Sequence, residues 1–340
     1  MAVWAILNSD AQAFDAFPIA PGPEWQFRPR VSGSWVVWED MRNNNQDVYA
    51  KNLSTGLELA VSTGQGDHMR PAMDGNRIVW DDNRSGVWTL YGYDLVTRQE
   101  APLVSRPGPN MAPALSGRTV VWSTGTYTSD PYTSDIWGKD LVSGREFPIT
   151  EAPLGQVAPA ISGNIVVWQD ARNSFYNTKW DIYAYNLATQ TEFPVCTLPT
   201  PLLVEPAVSG NIIVWRDSRK NIGWDTDIWG LDLATGQEFP ICTNASTQYE
   251  PAIDGNLIVW DDGRNGDSDI FGYDLAKGVE FPIYVGPGEQ YFPAISGNLV
   301  VWQDDRNGNT NIYGTYVPEP ATLALLALGG LLALRRRARR

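Results

Sequence analysis

The chain has 340 residues, 43% of them hydrophobic and 15 of them Trp, which supplies enough apolar surface for a packed core and argues against wholesale disorder. Without residues 318–340 the body carries 20 basic and 38 acidic residues, a net charge of −18 that repels a phosphate backbone and excludes nucleic acid as a partner. Divalent cations and neutral, hydroxyl-rich ligands suit such a body better.

Residues 1–13 lack a basic leading segment and hold only a short apolar run, Ala2–Leu7. Ala11-Gln12-Ala13 nevertheless has the small-x-small form of a signal cleavage site. The expectation is the remnant of a secretory signal peptide, shortened by a start placed too far downstream. An in-frame upstream start encoding Lys or Arg would support this, and a stop codon directly upstream would count against it. Phe17-Pro18-Ile19 follows as an isolated copy of a segment that recurs later.

Residues 14–316 form one repeat array. The unit reads Pro-Ala-hydrophobic-Ser/Asp-Gly-Asn, then Val-Val-Trp-x-Asp-x-Arg, a loop, Asp-Ile-Tyr/Trp, Asp-Leu-x-Thr-Gly and Glu-Phe-Pro-Ile. Its tryptophans fall at Trp38, Trp80, Trp122, Trp168, Trp215, Trp260 and Trp302, spaced by 42, 42, 46, 47, 45 and 42 residues. In the fourth copy the predicted strands are Pro159–Ser162, Ile165–Asp170, Asp181–Leu187 and Glu192–Thr197, here termed a to d. Gly163-Asn164 suits a tight a–b hairpin, and strand b is apolar on both faces, as a strand between two neighbouring sheets must be. Proline in strand d (Pro148, Pro194, Pro240, Pro282) places d at the outer edge. Four-stranded sheets at this period are propeller blades. The seventh copy ends after strand c, and Phe17-Pro18-Ile19 supplies its missing strand. The predicted fold is therefore all-β: a seven-bladed β-propeller of four-stranded antiparallel blades closed by an N-terminal strand, with a short C-terminal transmembrane helix.

The stretch Asp-Ile-Trp-Gly-Leu-Asp-Leu-Ala-Thr-Gly at 227–236 resembles the TolB-like propeller repeats. The resemblance implies a fold and little more, because such propellers serve as periplasmic interaction proteins, surface proteins and enzyme appendages. Many relatives have six blades, so the count of seven comes from this sequence alone.

The chain ends in residues 317–340. Val317-Pro318-Glu319-Pro320 precedes an apolar stretch, Ala321–Leu334, and then Arg335, Arg336, Arg337, Arg339 and Arg340. Fourteen residues make a helix of ~21 Å, short for a bilayer. An ordinary tail anchor with positive flanks is one reading. In motif, order and position the tail also resembles the PEP-CTERM sorting signal. That resemblance implies transient anchoring in the inner membrane and an exosortase-type processing partner. It also implies delivery to the surface or extracellular matrix of a Gram-negative-type bacterium.

The Trp-x-Asp-x-Arg pairs are Asp40/Arg42, Asp82/Arg84, Asp170/Arg172, Asp217/Arg219, Asp262/Arg264 and Asp304/Arg306, whereas the third copy has Ser123 and Thr124. A catalytic site is normally unique, so sixfold recurrence reads as architecture, each pair also reaching the Asp that opens strand c. No cofactor is called for. The oxygen-rich run Asp262–Asp269 leaves calcium as a weak candidate, without the full EF-hand spacing. His68, the only histidine, is expected as a solvated residue in the loop entering the second blade, and no His-based triad or metal site is available. Cys196 and Cys242 occupy equivalent positions of adjacent strands d, roughly 17 Å apart, too far for a disulfide and expected as free thiols.

Two features break the sevenfold pattern. The b–c loops of blades 3–5 are longer and carry Tyr127, Tyr132, Phe175, Tyr176, Trp180 and Trp224, which suit stacking on sugar rings or packing as a lid. The residue before the strand-a proline, at the channel mouth, runs Arg28, Arg70, Ala112, Ala158, Glu205, Glu250 and Phe292, basic on one side and acidic on the other. Glu205 and Glu250 are candidates for a glycosidase-like pair. The expectation is a monomeric, non-enzymatic surface or matrix protein that binds polysaccharide or another envelope component through its loops. The alternatives are a polysaccharide hydrolase or lyase at the channel mouth, and a purely structural matrix protein.

Overall fold

The computed structural model describes residues 14–125, 134–174, 179–198, 202–220 and 225–318. Within them lie seven four-stranded antiparallel sheets, the blades of a propeller. In blade 1, strands a to d are Gln26–Ser32, Trp35–Asp40, Asp47–Asn52 and Glu58–Ser62. The a strands of successive blades touch one another around the central channel, and the d strands lie outermost. Strand Phe17–Ala20 pairs antiparallel with Asn311–Tyr316 and completes blade 7, as the isolated Phe-Pro-Ile predicted. The outer position of d explains its prolines, since Pro148, Pro194 and Pro240 sit exposed where no further strand needs their N–H.

Strand b holds the ring together through its two apolar faces. Val36 and Trp38 pack on Leu299 and Val301 of blade 7, while Val37, on the opposite face, packs on Ile78 and Trp80 of blade 2. All seven repeat tryptophans are fully buried. Truncating any one to Ala would cost about 3–5 kcal/mol.

Two polar rings reinforce this packing. At the a–b turn end of the channel, each turn glycine donates its N–H to a Ser or Asp of the preceding blade. Gly75 donates to Ser32 at 2.9 Å, Gly117 to Asp74 at 2.5 Å, Gly163 to Ser116 at 3.0 Å and Gly210 to Ser162 at 3.1 Å. Gly255 bonds Ser209 at 3.0 Å, Gly297 bonds Asp254 at 2.6 Å, and Gly33 closes the circle on Ser296 at 3.0 Å. These glycines hold φ of 55–59°, where a side chain would be strained.

At the other end, every a strand bulges at the residue before its proline. Arg28, Arg70, Ala112, Ala158, Glu205, Glu250 and Phe292 all adopt φ between 45 and 55°. Such a conformation costs about 1–2 kcal/mol for a residue bearing Cβ. The freed N–H is recovered by a neighbouring blade: Arg28 N–H reaches Gln303 at 2.7 Å, Arg70 N–H reaches Glu39 at 2.6 Å and Ala112 N–H reaches Asp81 at 2.9 Å. The bulge also explains why strand a starts at Gln156 in blade 4 rather than at Pro159, because pairing resumes upstream of it.

Among the described residues no helix is long and apolar enough to cross a membrane. The predicted helix at 321–334, the tail residues Glu319, Pro320, Arg335, Arg336 and Arg337, and residues 1–13 lie outside the described residues.

Candidate functional site

The recurrent Asp and Arg are consumed by the fold. The indole N–H of Trp38, Trp80, Trp168, Trp215, Trp260 and Trp302 donates to the motif Asp at 2.8–3.1 Å. The same carboxylate grips the motif Arg, for example Arg42 to Asp40 at 2.6 Å, Arg172 to Asp170 at 2.7 Å and Arg264 to Asp262 at 2.5 Å. Arg84–Asp82, Arg219–Asp217 and Arg306–Asp304 repeat the contact. Contrary to expectation, the Arg does not reach the Asp that opens strand c. Its guanidinium lies instead over the strand-c aromatic, 3.9 Å from Tyr49 and 3.8 Å from Trp229, and pairs outward with a strand-d Glu such as Glu58 or Glu238. The strand-c Asp bonds Asn or Lys: Asp47 takes Asn43 at 2.7 Å, and Asp227 takes Lys220 at 3.1 Å.

Blade 3 lacks the motif and compensates. Trp122 donates to Asn110 at 2.9 Å, and Arg106, from the preceding d–a loop, stacks 3.8 Å over Trp137. In the run proposed for calcium, Asp262 is held by Trp260 and Arg264, and Asp269 by Asn265 at 2.6 Å. No group of three or more metal-ligating side chains assembles among the described residues.

His68 corrects the sequence reading. It opens strand a of blade 2, His68–Asp74, is 1% exposed, and lies between Asp47 at 3.2 Å and Asp82 at 3.5 Å. It takes the position that Gln26, Gln156, Gln248 and Gln290 hold in other blades, a structural position rather than a loop. Cys196 and Cys242 are free and buried. Burial, with nearby Glu280, pushes the Cys242 thiol up to about 12, so it stays protonated.

Of the predicted aromatic loop residues, Tyr127, Tyr132, Phe175, Tyr176 and Trp224 lie outside the described residues. Trp180 is half-buried beside the start of blade 5, its carbonyl accepting the Leu203 N–H at 3.2 Å.

At the channel mouth the charges are organised. Arg28 bonds Glu39 at 3.2 Å and lies 5.7 Å from the Phe292 ring, and Arg70 pairs with Asp81. Burial nevertheless lifts Asp81 to about 7, with Arg70 opposing the shift. Across the channel, Arg216 bonds Glu205 at 2.7 Å, and the other Glu205 oxygen accepts the Glu250 N–H at 2.9 Å. Burial and then the Glu205 charge raise Glu250 to about 7, with Arg30, Arg216 and Arg28 acting in the opposite direction. Sequence reasoning missed two participants. One is the residue after each Trp (Glu39, Asp81, Arg216, Asp261), whose polarity in an otherwise apolar strand was the available signal. The other is Arg30, the single residue after a strand-a proline that is not Ala.

Beside this acidic arc, between blades 6 and 7, a cavity of about 410 Å³ opens. Glu250, Asp261, Asp267 and Glu289 line it together with the rings of Tyr249, Tyr291 and Phe292. No Lys or Arg is among its described lining residues. Asp261 is 2% exposed, and its Oδ1 has no hydrogen-bond partner, while its Oδ2 accepts from Ser268 at 3.3 Å. Burial first, then Glu250 and Glu205, hold its carboxyl well above the usual range. Aromatic faces beside hydrogen-bond acceptors can stack a sugar ring and hold its hydroxyls.

Residues 317–340 match the PEP-CTERM protein-sorting motif. Val317 is buried against blade 7, its N–H bonded to the Asn298 carbonyl at 2.8 Å, so the motif starts at the propeller surface. Solved structures with a similar fold include an oligogalacturonate lyase from Vibrio parahaemolyticus at 15% identity, TM-score 0.65, over 92% of this chain and 95% of that one. The β-propeller domain of the Trilobed protease from Pyrococcus furiosus aligns at 14% identity, TM-score 0.67, over 88% and 94% of the two chains. TolB from Acinetobacter baumannii aligns at 14% identity, TM-score 0.54, over 81% and 67%. At such identities the likeness shows the fold alone. No curated protein matches the sequence. The chain is a seven-bladed β-propeller that carries a PEP-CTERM sorting signal, which implies export and membrane anchoring before processing.

Proposed function

We propose that the chain is a non-enzymatic saccharide-binding propeller whose ligand sits in the cavity between blades 6 and 7. The observation that carries this reading is the cavity itself, which sets aromatic residues beside carboxylates, among them Asp261 with its buried, unpartnered Oδ1. Its size falls in the range of ligand pockets, roughly 300–1,000 Å³. The sorting signal supports a destination at the cell surface or in an exopolysaccharide matrix, with an exosortase as processing partner. One fold neighbour is an oligogalacturonate lyase, but an acidic cavity repels a polyuronate, so that substrate is not carried over.

A glycan array with the wild type, Tyr291→Ala and Trp180→Ala tests the proposal. Binding lost in Tyr291→Ala and kept in Trp180→Ala supports it. Absence of glycan binding by the wild type overturns it, and loss confined to Trp180→Ala moves the ligand to the loops of blades 3–5.

A hydrolase or lyase is the second reading, favoured by the unequal environments of Glu205 and Glu250. Against it, both Glu205 oxygens are engaged, one by Arg216 and one by the Glu250 N–H. Reducing-sugar release abolished by Glu250→Gln would establish this second reading.

A further inference from the structure

In blades 1, 2 and 5 the residue before the strand-a proline bonds the residue after the strand-b tryptophan, eleven positions later, and the repeat sets the same two positions side by side in the other blades. Arg28 meets Glu39 in blade 1 and Arg70 meets Asp81 in blade 2, and blade 5 reverses the order with Glu205 meeting Arg216. Blades 3, 4 and 7 place uncharged pairs there: Ala112 with Ser123, Ala158 with Gln169, and Phe292 with Gln303. Blade 6 alone sets a carboxylate against a carboxylate, Glu250 against Asp261.

We propose that this Glu250–Asp261 pair is a cation-recognising subsite and that the saccharide taken by the cavity carries a protonated amine. The proposal rests on the saccharide reading above and specifies its ligand class. Three observations support it. Every other charged pair in the ring contains its own guanidinium, so a ligand ammonium in blade 6 would supply the positive charge that Arg28, Arg70 and Arg216 supply in blades 1, 2 and 5. Asp261 lines the cavity, and its buried Oδ1 lacks a donor, which an ammonium N–H supplies. Tyr291 adds an aromatic ring that attracts a cation as well as a sugar, whereas the Tyr249 ring already carries the Arg216 guanidinium at 4.7 Å.

The surrounding charges leave this need unmet at Asp261. Arg30, Arg216 and Arg28 act on Glu250, whereas Asp261 feels Glu250 and Glu205 and is met only by the Ser268 hydroxyl and the Phe292 N–H. Burial beside two carboxylates raises the Asp261 carboxyl, and a cation in the cavity would oppose that rise. An ammonium fits better than a metal ion, because no group of three or more ligating side chains assembles among the described residues.

The experiment is calorimetric titration of the full-length protein in detergent with three tetrasaccharides: glucosamine, N-acetylglucosamine and galacturonate oligomers, plus calcium chloride alone. The glucosamine oligomer is expected to bind roughly tenfold tighter than its N-acetylated counterpart, with the galacturonate oligomer weakest. Asp261→Asn keeps the shape and removes the charge. It should cost roughly tenfold for the amine and nothing for the N-acetylated oligomer. Glu250→Gln should show the same selectivity, and melting curves would confirm that both variants fold. Equal binding of the amine and N-acetyl forms, or an Asp261→Asn variant that binds the amine normally, overturns the cation subsite and leaves the saccharide reading standing. Calcium binding tighter than the amine and abolished by Asp261→Asn overturns it in favour of a metal. Binding of none of the saccharides removes the saccharide reading and this inference with it.

Discussion

Blades 2 and 6 use the same two positions to opposite ends. In blade 2 Asp81 is buried beside Arg70, and its other oxygen accepts the Ala112 N–H of the next blade at 2.9 Å, so the carboxylate ties three segments together. In blade 6 Asp261 is equally buried and is likewise met by the next blade's N–H, at Phe292, but it faces Glu250 instead of an arginine and lines a cavity. A carboxylate that completes its interactions within the chain supports the fold. One left incomplete beside open space is positioned for a ligand. The outer Trp-Asp-Arg belt extends the lesson, since its six repeats all close on themselves.

The contrast breaks most readily in the belt. Asp170→Ala would leave the Trp168 indole N–H without its acceptor and Arg172 with only Glu192 and should cost about 3 kcal/mol, read as a fall in the midpoint of chemical unfolding. Asp261→Asn should cost almost nothing or stabilise the fold slightly, because it relieves two facing carboxyls. Equal losses in the two variants would erase the distinction between structural and open carboxylates.

The next effect depends on pH. Glu250 is raised from its ordinary 4.5 to about 7, so between those values the folded state holds a proton that the unfolded state has released. Its contribution therefore favours folding at low pH and is lost as pH rises through about 7. Against Glu250→Gln, the wild type should gain on the order of 2 kcal/mol between pH 8 and pH 5. Parallel stability profiles for the two proteins would contradict this. Smaller again is the ring at the a–b turns, where Ser209→Ala removes one inter-blade hydrogen bond and should cost about 1 kcal/mol in thermal melting. Smallest is Arg106→Ala, which removes the stacking on Trp137 and should cost about 0.5–1 kcal/mol.

The blades were legible because tryptophan recurs at a near-constant period and glycine marks each a–b turn. The closing strand was legible because Phe17-Pro18-Ile19 matched a missing piece. The site was less so. Alternation along strand b puts the residue after Trp38 on the face opposite the indole, towards blade 2, and no local pattern says that it meets a residue eleven positions earlier across a bulge. His68 was misplaced for the same reason, since strand a continues upstream of its proline only because Arg70 adopts a left-handed conformation. Arg106 substitutes for the missing motif of blade 3 from a different loop, a contact that sequence order conceals.

The most direct test of the account is a crystal structure of the protein soaked with the tightest-binding oligosaccharide from the array. The account predicts a sugar ring in the cavity between blades 6 and 7, within hydrogen-bonding distance of Asp261 and against Tyr291. A sugar bound at the loops of blades 3–5, with that cavity empty, would contradict it.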